Sequence, residues 1–252
     1  SPENLFEPEA LSEEIILQTH DAKYWQRLRD LELTTSEIRR TGFPHNEALI
    51  HREKVIMQGT LDCARYALQY GVSMNIAGGT HHAYTDRGEG FCLLNDIAIA
   101  ATQLLADGAV KQVLVVDLDV HQGNGTAQIF KDNSDVFTFS IHGAKNYPMR
   151  KEASDLDIGV PDGIDDTAYL KILRKTLPKL IDSVAPDFIF FQSGVDVLET
   201  DKLGRLGMTI EGCRERDRIV LEACKRNEIP VCASMGGGYS KEIKHIVTAH
   251  AN

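Results

Sequence analysis

The stretch Val113-Leu114-Val115-Val116-Asp117-Leu118-Asp119-Val120-His121-Gln122-Gly123-Asn124-Gly125 decides how this chain is read. It opens as a short run with no polar position on either face, the pattern of a strand covered on both sides. It closes on glycines and an asparagine, where a chain turns. Between the two lie Asp117, Asp119 and His121, spaced by two. Side chains two apart on a strand share a face, with Cα atoms roughly 6.6 Å apart, so two carboxylates and an imidazole meet at one spot. Carboxylates gathered at a strand end are costly unless a cation neutralises them, and a divalent metal is the simplest remedy. Taken singly, either Asp reads as a helix cap and His121 as a satisfied surface residue; the three together favour the metal.

Similar apolar runs lie at 136–141, 188–192 and 230–234, and the segments 166–183 and 209–227 read as amphipathic helices. Strands apolar on both faces, each followed by a helix, predict a central, mostly parallel sheet with helices on both sides, a three-layer α/β architecture. The first 75 residues read as helical. Thr34 and Glu37 have capping-box spacing ahead of Ile38, and Met57, Leu61, Ala64 and Leu68 form one helical stripe that Gly71 ends. That stripe is expected in the core. With no Pro/Ser-rich linker, repeat or low-complexity segment, the chain reads as one domain over residues 1–252.

In parallel sheets ligands bind at the carboxyl ends of strands, and the unusual residues of this sequence follow its strands. After the run at 188–192 come Ser193, Gly194, Val195 and Asp196, with Gly194 expected to relax the backbone and Asp196 to reach the same sheet edge. Asp119, His121 and Asp196 would form a three-ligand set with an open position, as in catalytic rather than structural zinc sites. Two carboxylates cancel the charge of the ion and weaken it as a Lewis acid, so other groups must assist. Gly78-Gly79-Thr80-His81-His82 supplies two imidazoles, which enter one pocket if the glycines break β geometry, and which could divide base and acid work. Met235-Gly236-Gly237-Gly238-Tyr239 places one phenol at the pocket edge, where it could donate to an oxyanion. As a phosphate cradle this turn lacks the Gly-Lys-Ser/Thr that follows in such loops, and Gly123 to Gln128 has Gln where a dinucleotide loop needs a small residue.

The 252 residues are 42% hydrophobic and 25% charged, and 27 Lys and Arg against 37 Asp and Glu give a net charge of −10. This supports a sizeable core, excludes fibrous and disordered classes, and disfavours nucleic acid and anionic membrane surfaces as partners. No run of about 18 apolar residues occurs. The opening Ser1-Pro2-Glu3-Asn4-Leu5-Phe6-Glu7 lacks the basic start and apolar stretch of a secretory signal, so a soluble, cytoplasmic protein is expected. Cys63, Cys92, Cys213, Cys224 and Cys232 form no CxxC pair and read as reduced core residues.

Five stretches in order resemble the histone deacetylase family, within the arginase–deacetylase fold: Gly-Gly-Thr-His-His-Ala (78–83), Gly-Glu-Gly-Phe-Cys-Leu-Leu-Asn-Asp (88–96), Asp-Leu-Asp-Val-His-Gln-Gly-Asn-Gly-Thr (117–126), Ser-Gly-Val-Asp (193–196) and Gly-Gly-Gly-Tyr (236–239). The Gln-Gly-Asn-Gly form, with His-Gly-Ala-Lys-Asn-Tyr-Pro (142–148) and Asp-Lys-Leu-Gly-Arg-Leu (201–206), is most similar to class IV deacetylases and their bacterial relatives. The resemblance implies that Asp119, His121 and Asp196 hold zinc, that His82 is general base and later acid, and that His81 is its electrostatic partner. It implies that Asp117 orients His81 and that Asn124 orients His82. Class I members carry Asp at the latter position, so Asn124 should leave His82 less basic. Tyr239 would polarise the scissile carbonyl. A structural K⁺ or Na⁺ would be held by the side chains of Asp117 and Ser140 and the carbonyls of Asp119, His121 and Ile141. Gly90, Phe91, Tyr147 and Leu203 match the walls of a tunnel for an acylated lysine. Relative to the family pattern, the sequence as given opens and stops inside the domain, so the resemblance implies a domain incomplete at both ends of this stretch.

The activity so implied is hydrolysis of acetyl or longer acyl groups from the ε-amine of lysine in a protein or peptide, by attack of a metal-activated water. An acetylpolyamine amidohydrolase shares the ligands and suits an acidic surface. A non-catalytic acyl-lysine or metal-binding module is a further alternative, which the retention of His81, His82 and Tyr239 disfavours. Acyl length is unread, and an Asp-Asp-His set also suits ferrous iron.

Overall fold

The computed structural model describes residues 4–251; the first three residues of the opening stretch, and Asn252, lie outside the described residues. Among the described residues, six strands form one parallel sheet: β1 (Val72–Asn75), β2 (Val113–Asp117), β3 (Val136–Gly143), β4 (Leu156–Val160), β5 (Phe188–Gln192) and β6 (Val231–Ser234). Their order is β1-β6-β5-β2-β3-β4. The helices are α1 (Glu13–Ile16), α2 (Ala22–Arg29), α3 (Thr35–Thr41), α4 (Glu47–Tyr70), α5 (Asp96–Ala106), α6 (Asn124–Phe130), α7 (Asp166–Val184), α8 (Ile210–Arg226) and α9 (Ile243–His250).

Strand alternation sorts the core into two halves. Val113, Val115, Phe188 and Phe190 point to one face, where Trp25, Met57, Leu61 and Leu104 from α2, α4 and α5 cover them. Leu114, Val116, Ile189 and Phe191 point to the other, against Leu173 and Leu177 of α7 and Val220 of α8. The three-layer α/β expectation therefore holds, and the strands apolar on both faces are the ones the sequence marks most clearly.

Two expectations need correction. Residues 72–75 are the edge strand β1 rather than helix, and β4 was not foreseen. Each is an edge strand with one neighbour, so neither carries the continuous apolar run of a doubly covered strand. Leu68 stands 36% exposed and Ala67 is buried in its place. The 3.6-residue period carries the stripe through Thr60, Leu61 and Ala64 to Ala67 by the last turn. The capping box at Thr34 and Glu37 is formed, and the five cysteines are buried and free. No helix among the described residues is long and apolar enough to cross a membrane.

The topology selects one place for chemistry. From β2 the chain moves outward to β3 and β4, then returns to β5 on the other side of β2, so the strand order reverses between β2 and β5. In open α/β sheets the crevice at the carboxyl end of such a reversal is where ligands bind. The β2–β5 ladder ends at the pair Asp117 and Gln192, and just beyond it the loops are joined by Arg216 of α8. This guanidinium is fully buried. It donates to the carbonyls of Leu118 at 3.1 Å, Gly194 at 2.6 Å and Ser193 at 3.1 Å, and pairs with Asp217 at 2.7 Å. Replacing it strands three carbonyls and half of an ion pair, at about 1–3 kcal/mol for each unsatisfied group. Arg216→Leu is therefore expected to lower unfolding stability by more than about 3 kcal/mol, and Arg216→Lys by less, as read by urea titration.

Candidate active site

Asp119, His121 and Asp196 converge in the crevice, each buried, with one ligand atom apiece lying within 4.8 Å of the others. His121 Nδ1 stands 3.1 Å from Asp119 Oδ1 and 3.1 Å from Asp196 Oδ2. The backbone holds the carboxylates in place: Val120 N–H donates to Asp196 Oδ1 at 2.9 Å, and Gly237 N–H to Asp119 Oδ2 at 3.0 Å. Asp196 Oδ2 is fully buried, without a hydrogen-bond partner, and faces the imidazole. Burial, and then the charge of Asp119, pushes Asp196 up to about 7. Burial opposes charge on His121 too, yet Asp119 and Asp196 overcome it and drive the ring to about 10. The cluster therefore favours positive charge at its centre. Donors about 2.0–2.1 Å from a tetrahedral ion stand roughly 3.3 Å apart, close to the 3.1 Å between His121 Nδ1 and each carboxylate, so the three residues fit a divalent metal.

The two histidines beside this cluster enter one pocket because the backbone turns at Gly78 and Gly79, with φ of 79° and 80°. Asp96, at the start of α5, holds the turn by accepting from Gly79 N at 2.9 Å and from Thr80 N at 2.7 Å. The rings of His81 and His82 lie 4.1 Å apart. His81 Nδ1 meets Asp117 Oδ2 at 2.7 Å, and His82 Nδ1 meets Asn124 Oδ1 at 2.6 Å. The two rings are driven in opposite directions. Burial opposes charge on His81, but Asp117 and Asp119 push it up to about 9. Burial, and then the neighbouring His81, pushes His82 well below its ordinary value.

Two cavities meet at the cluster. The outer one, about 430 Å³, is lined by Gly90, Phe91, Tyr147 and Leu203 together with His82, His121 and Tyr239. The inner one, about 300 Å³, runs past Asp119 and Asp196 toward Arg52, Ile56 and Met235. Tyr239 lines both cavities. Its backbone N–H donates to Asp201 Oδ2 at 2.5 Å, while Asp201 Oδ1 accepts from Leu203 N and Gly204 N at 2.8 Å, which ties the phenol to the cavity wall. Burial and the two site carboxylates push the Tyr239 hydroxyl above its ordinary value, so it stays a proton donor.

A histone deacetylase domain model matches residues 1–252. The chain belongs to the histone deacetylase family. It is 42% identical over 250 residues to an uncharacterized protein of Picosynechococcus sp., covering 99% of this chain and 83% of that protein. It is 27% identical to histone deacetylase 2 of Arabidopsis thaliana over 96% of this chain and 65% of that protein. Against human histone deacetylase 1 it is 32% identical over 68% of this chain, and spans 37% of the human protein. The fold is similar to the crystal structure of the HDA15 HD domain, with a TM-score of 0.79 at 23% identity, covering 98% of this chain and 74% of that one.

Of the residues expected for a deacetylase site, Asp117 and Ser140 are register partners on β2 and β3, and both are buried with Ile141. The Ser140 hydroxyl also meets His142 Nδ1 at 2.9 Å. Gly194 is needed for space rather than for freedom: it has no positive φ, and a Cβ there would collide with the Asp119 carboxylate. Sequence reading missed Arg216, Asp201 and Glu89. Arg216 had a signal, a charge inside the apolar stripe of Cys213, Val220 and Cys224. Asp201 and Glu89 lie inside recognised motifs, but their contacts come from the folded loops alone. Asp196→Ala is expected to lose stoichiometric divalent metal while staying folded, as read by metal analysis after dialysis alongside circular dichroism; a full equivalent of metal in that variant would remove Asp196 from the candidate ligands.

Proposed function

We propose that this chain is a metal-dependent amidohydrolase that removes acyl groups from the ε-amine of lysine. The observation that carries the proposal is the convergence of the Asp119, His121 and Asp196 cluster with the His81–His82 pair and Tyr239 around two joined cavities. Family membership supports hydrolysis of an acyl amide, and the whole of residues 1–252 is taken as one such domain. Zinc is the metal we assign to the three ligands, with ferrous iron the competitor. For the structural K⁺ or Na⁺ we assign the side chains of Asp117 and Ser140 with the carbonyls of Asp119, His121 and Ile141.

A divalent ion at the cluster supplies Lewis acidity toward the acyl oxygen and toward a water. The chain's own residues supply the rest. His82 is neutral and donates through Nδ1 to Asn124 Oδ1, which leaves Nε2 to take a proton from the attacking water. His81, held charged against Asp117, stabilises negative charge nearby and keeps His82 from being protonated early. The Tyr239 hydroxyl donates to the oxygen of the tetrahedral intermediate, and the amine departs with the proton returned by His82. Phe91 and Tyr147 flank the outer cavity, where an alkyl stem would lie.

The polyamine reading shares this machinery. The outer cavity, however, includes Arg40, Lys145 and Arg205 in its lining, and a polycationic substrate would meet them at the entrance. A lysine within a peptide brings a single alkyl stem that the acyl group has made neutral. Tyr239→Phe is expected to keep zinc and lose about 3–4 kcal/mol of transition-state stabilisation, roughly 10²–10³ in kcat. The test of the whole reading is turnover of one lysine peptide carrying acyl chains of increasing length, beside acetylputrescine, with zinc and with a chelator. Faster turnover of acetylputrescine would favour the polyamine enzyme, and a metal-loaded protein inert toward every acyl amide would favour the binding module.

A further inference from the structure

Asn124 carries one acceptor and one donor group, and which of them faces His82 decides what that ring can do. With Oδ1 toward the ring, at 2.6 Å, His82 keeps its proton on Nδ1 and Nε2 is free to accept another. With the amide turned over, its NH₂ would face Nδ1, the ring proton would move to Nε2, and the basic nitrogen would be lost to the pocket.

Two acceptors hold the amide in the first orientation. Asn124 Nδ2 lies 2.8 Å from Glu89 Oε1 and 3.0 Å from the Tyr84 hydroxyl. Tyr84 spends its own proton on Glu152 Oε1 at 3.1 Å, so toward Asn124 it accepts. A carboxylate can only accept. Glu89 Oε1 also receives the Tyr147 hydroxyl at 2.6 Å, and the Tyr147 ring stands edge-on to His82 with centroids 4.9 Å apart. Its other oxygen faces Arg87 Nε at 3.7 Å. Glu89 thus braces both neighbours of His82, the amide behind it and the phenol beside it.

We propose that Glu89 is a positioning residue that fixes the Nδ1-protonated tautomer of His82 by holding the Asn124 amide in one orientation. The inference rests on the reading of His82 as general base given above. It makes a carboxylate set one residue further from the ring do the orienting that an aspartate at position 124 would do directly.

The test compares zinc-loaded wild type with Glu89→Leu, Glu89→Gln and the double variant Glu89→Leu/Asn124→Asp. Two readouts are taken: the ¹⁵N shifts of the His82 ring, and kcat and KM on an acyl-lysine peptide. Glu89→Leu removes the acceptor and is expected to mix the tautomers and to lower kcat by more than about tenfold. Glu89→Gln keeps an acceptor oxygen, so its kcat should fall by no more than about threefold. In the Leu background Asn124→Asp should restore the Nδ1-protonated tautomer, because a carboxylate offers an acceptor whichever oxygen faces the ring, and should restore kcat once the pH is raised above the higher value that the carboxylate gives His82. Unchanged ¹⁵N shifts in Glu89→Leu, a rise in KM alone, or no rescue by Asn124→Asp would each overturn the proposal. A wild-type protein that hydrolyses no acyl-lysine, yet shows the tautomer changes, would sink the proposed function and leave this placement of Glu89 standing.

Discussion

Two carboxylates and an imidazole share a buried crevice at the place where the strand order of the sheet reverses, and much of the molecule can be understood as what makes that arrangement tolerable. Ionised groups out of water are unfavourable by several kcal/mol apiece unless opposite charge or hydrogen bonds compensate. Here the compensation is layered. Val120 and Gly237 give backbone N–H groups to the carboxylates, His121 stands between them, and Arg216 grips the carbonyls of Leu118, Ser193 and Gly194 from the opposite side. The β2–β5 ladder alone cannot do this, because it ends at Asp117 and Gln192, before Asp119, His121 and Asp196. A helix that belongs to the outer layer of the fold thereby takes part in the geometry of the crevice.

The histidine pair shows the same economy at a finer scale. Adjacent imidazoles of identical chemistry are driven apart: against its burial, Asp117 and Asp119 raise His81, while burial and the neighbouring His81 lower His82, whose amide partner is too weak to offset them. A charged His81 discourages protonation of its neighbour, so the two rings act as one unit in which charge and basicity are assigned to different members. An aspartate behind both rings would draw protons to both. The amide behind His82 avoids this but introduces an orientation to be chosen, and the surrounding acceptors, Glu89 and Tyr84, choose it.

How much of this was legible in the sequence follows from which interactions are local. Asp117, Asp119 and His121 lie close in sequence and β2 and β5 are announced by apolar runs, so the layered fold and two members of the cluster could be read directly. β2 however ends at Asp117, which faces His81. Asp119 and His121 are set by the turn beyond it, where Asp119 N–H donates to Asp117 Oδ1 and His121 N–H to Asp119 Oδ1, rather than by strand periodicity. The pairing of Asp196 with that cluster needed the rule that ligands gather at strand ends, and Tyr239 needed it as well. The edge strands β1 and β4 were not legible, because a strand with one neighbour and a half-open face does not need an uninterrupted apolar run. Arg216 left only a charge in an apolar stripe. Glu89 left nothing beyond its motif, since its effect depends on an amide 35 positions away that only the folded loops bring to it.

The glycines around the crevice illustrate why motif and mechanism can diverge. Gly78, Gly79 and Gly236 have positive φ and are needed for the course of the backbone. Gly194 and Gly237 do not; a Cβ on either would enter the space of the Asp119 or Asp196 carboxylate. These two keep the main chain close enough for Gly237 N–H to reach Asp119 and for Val195 N–H to reach the Gly237 carbonyl at 2.7 Å, which joins the loop after β6 to the loop after β5. Tyr239 follows two residues later, so its position relative to the carboxylates is set by that contact and by Asp201. A residue larger than glycine at either point would therefore displace the phenol and the ligand loops together, which makes the glycine motif a constraint on distance between two functional groups rather than a hinge.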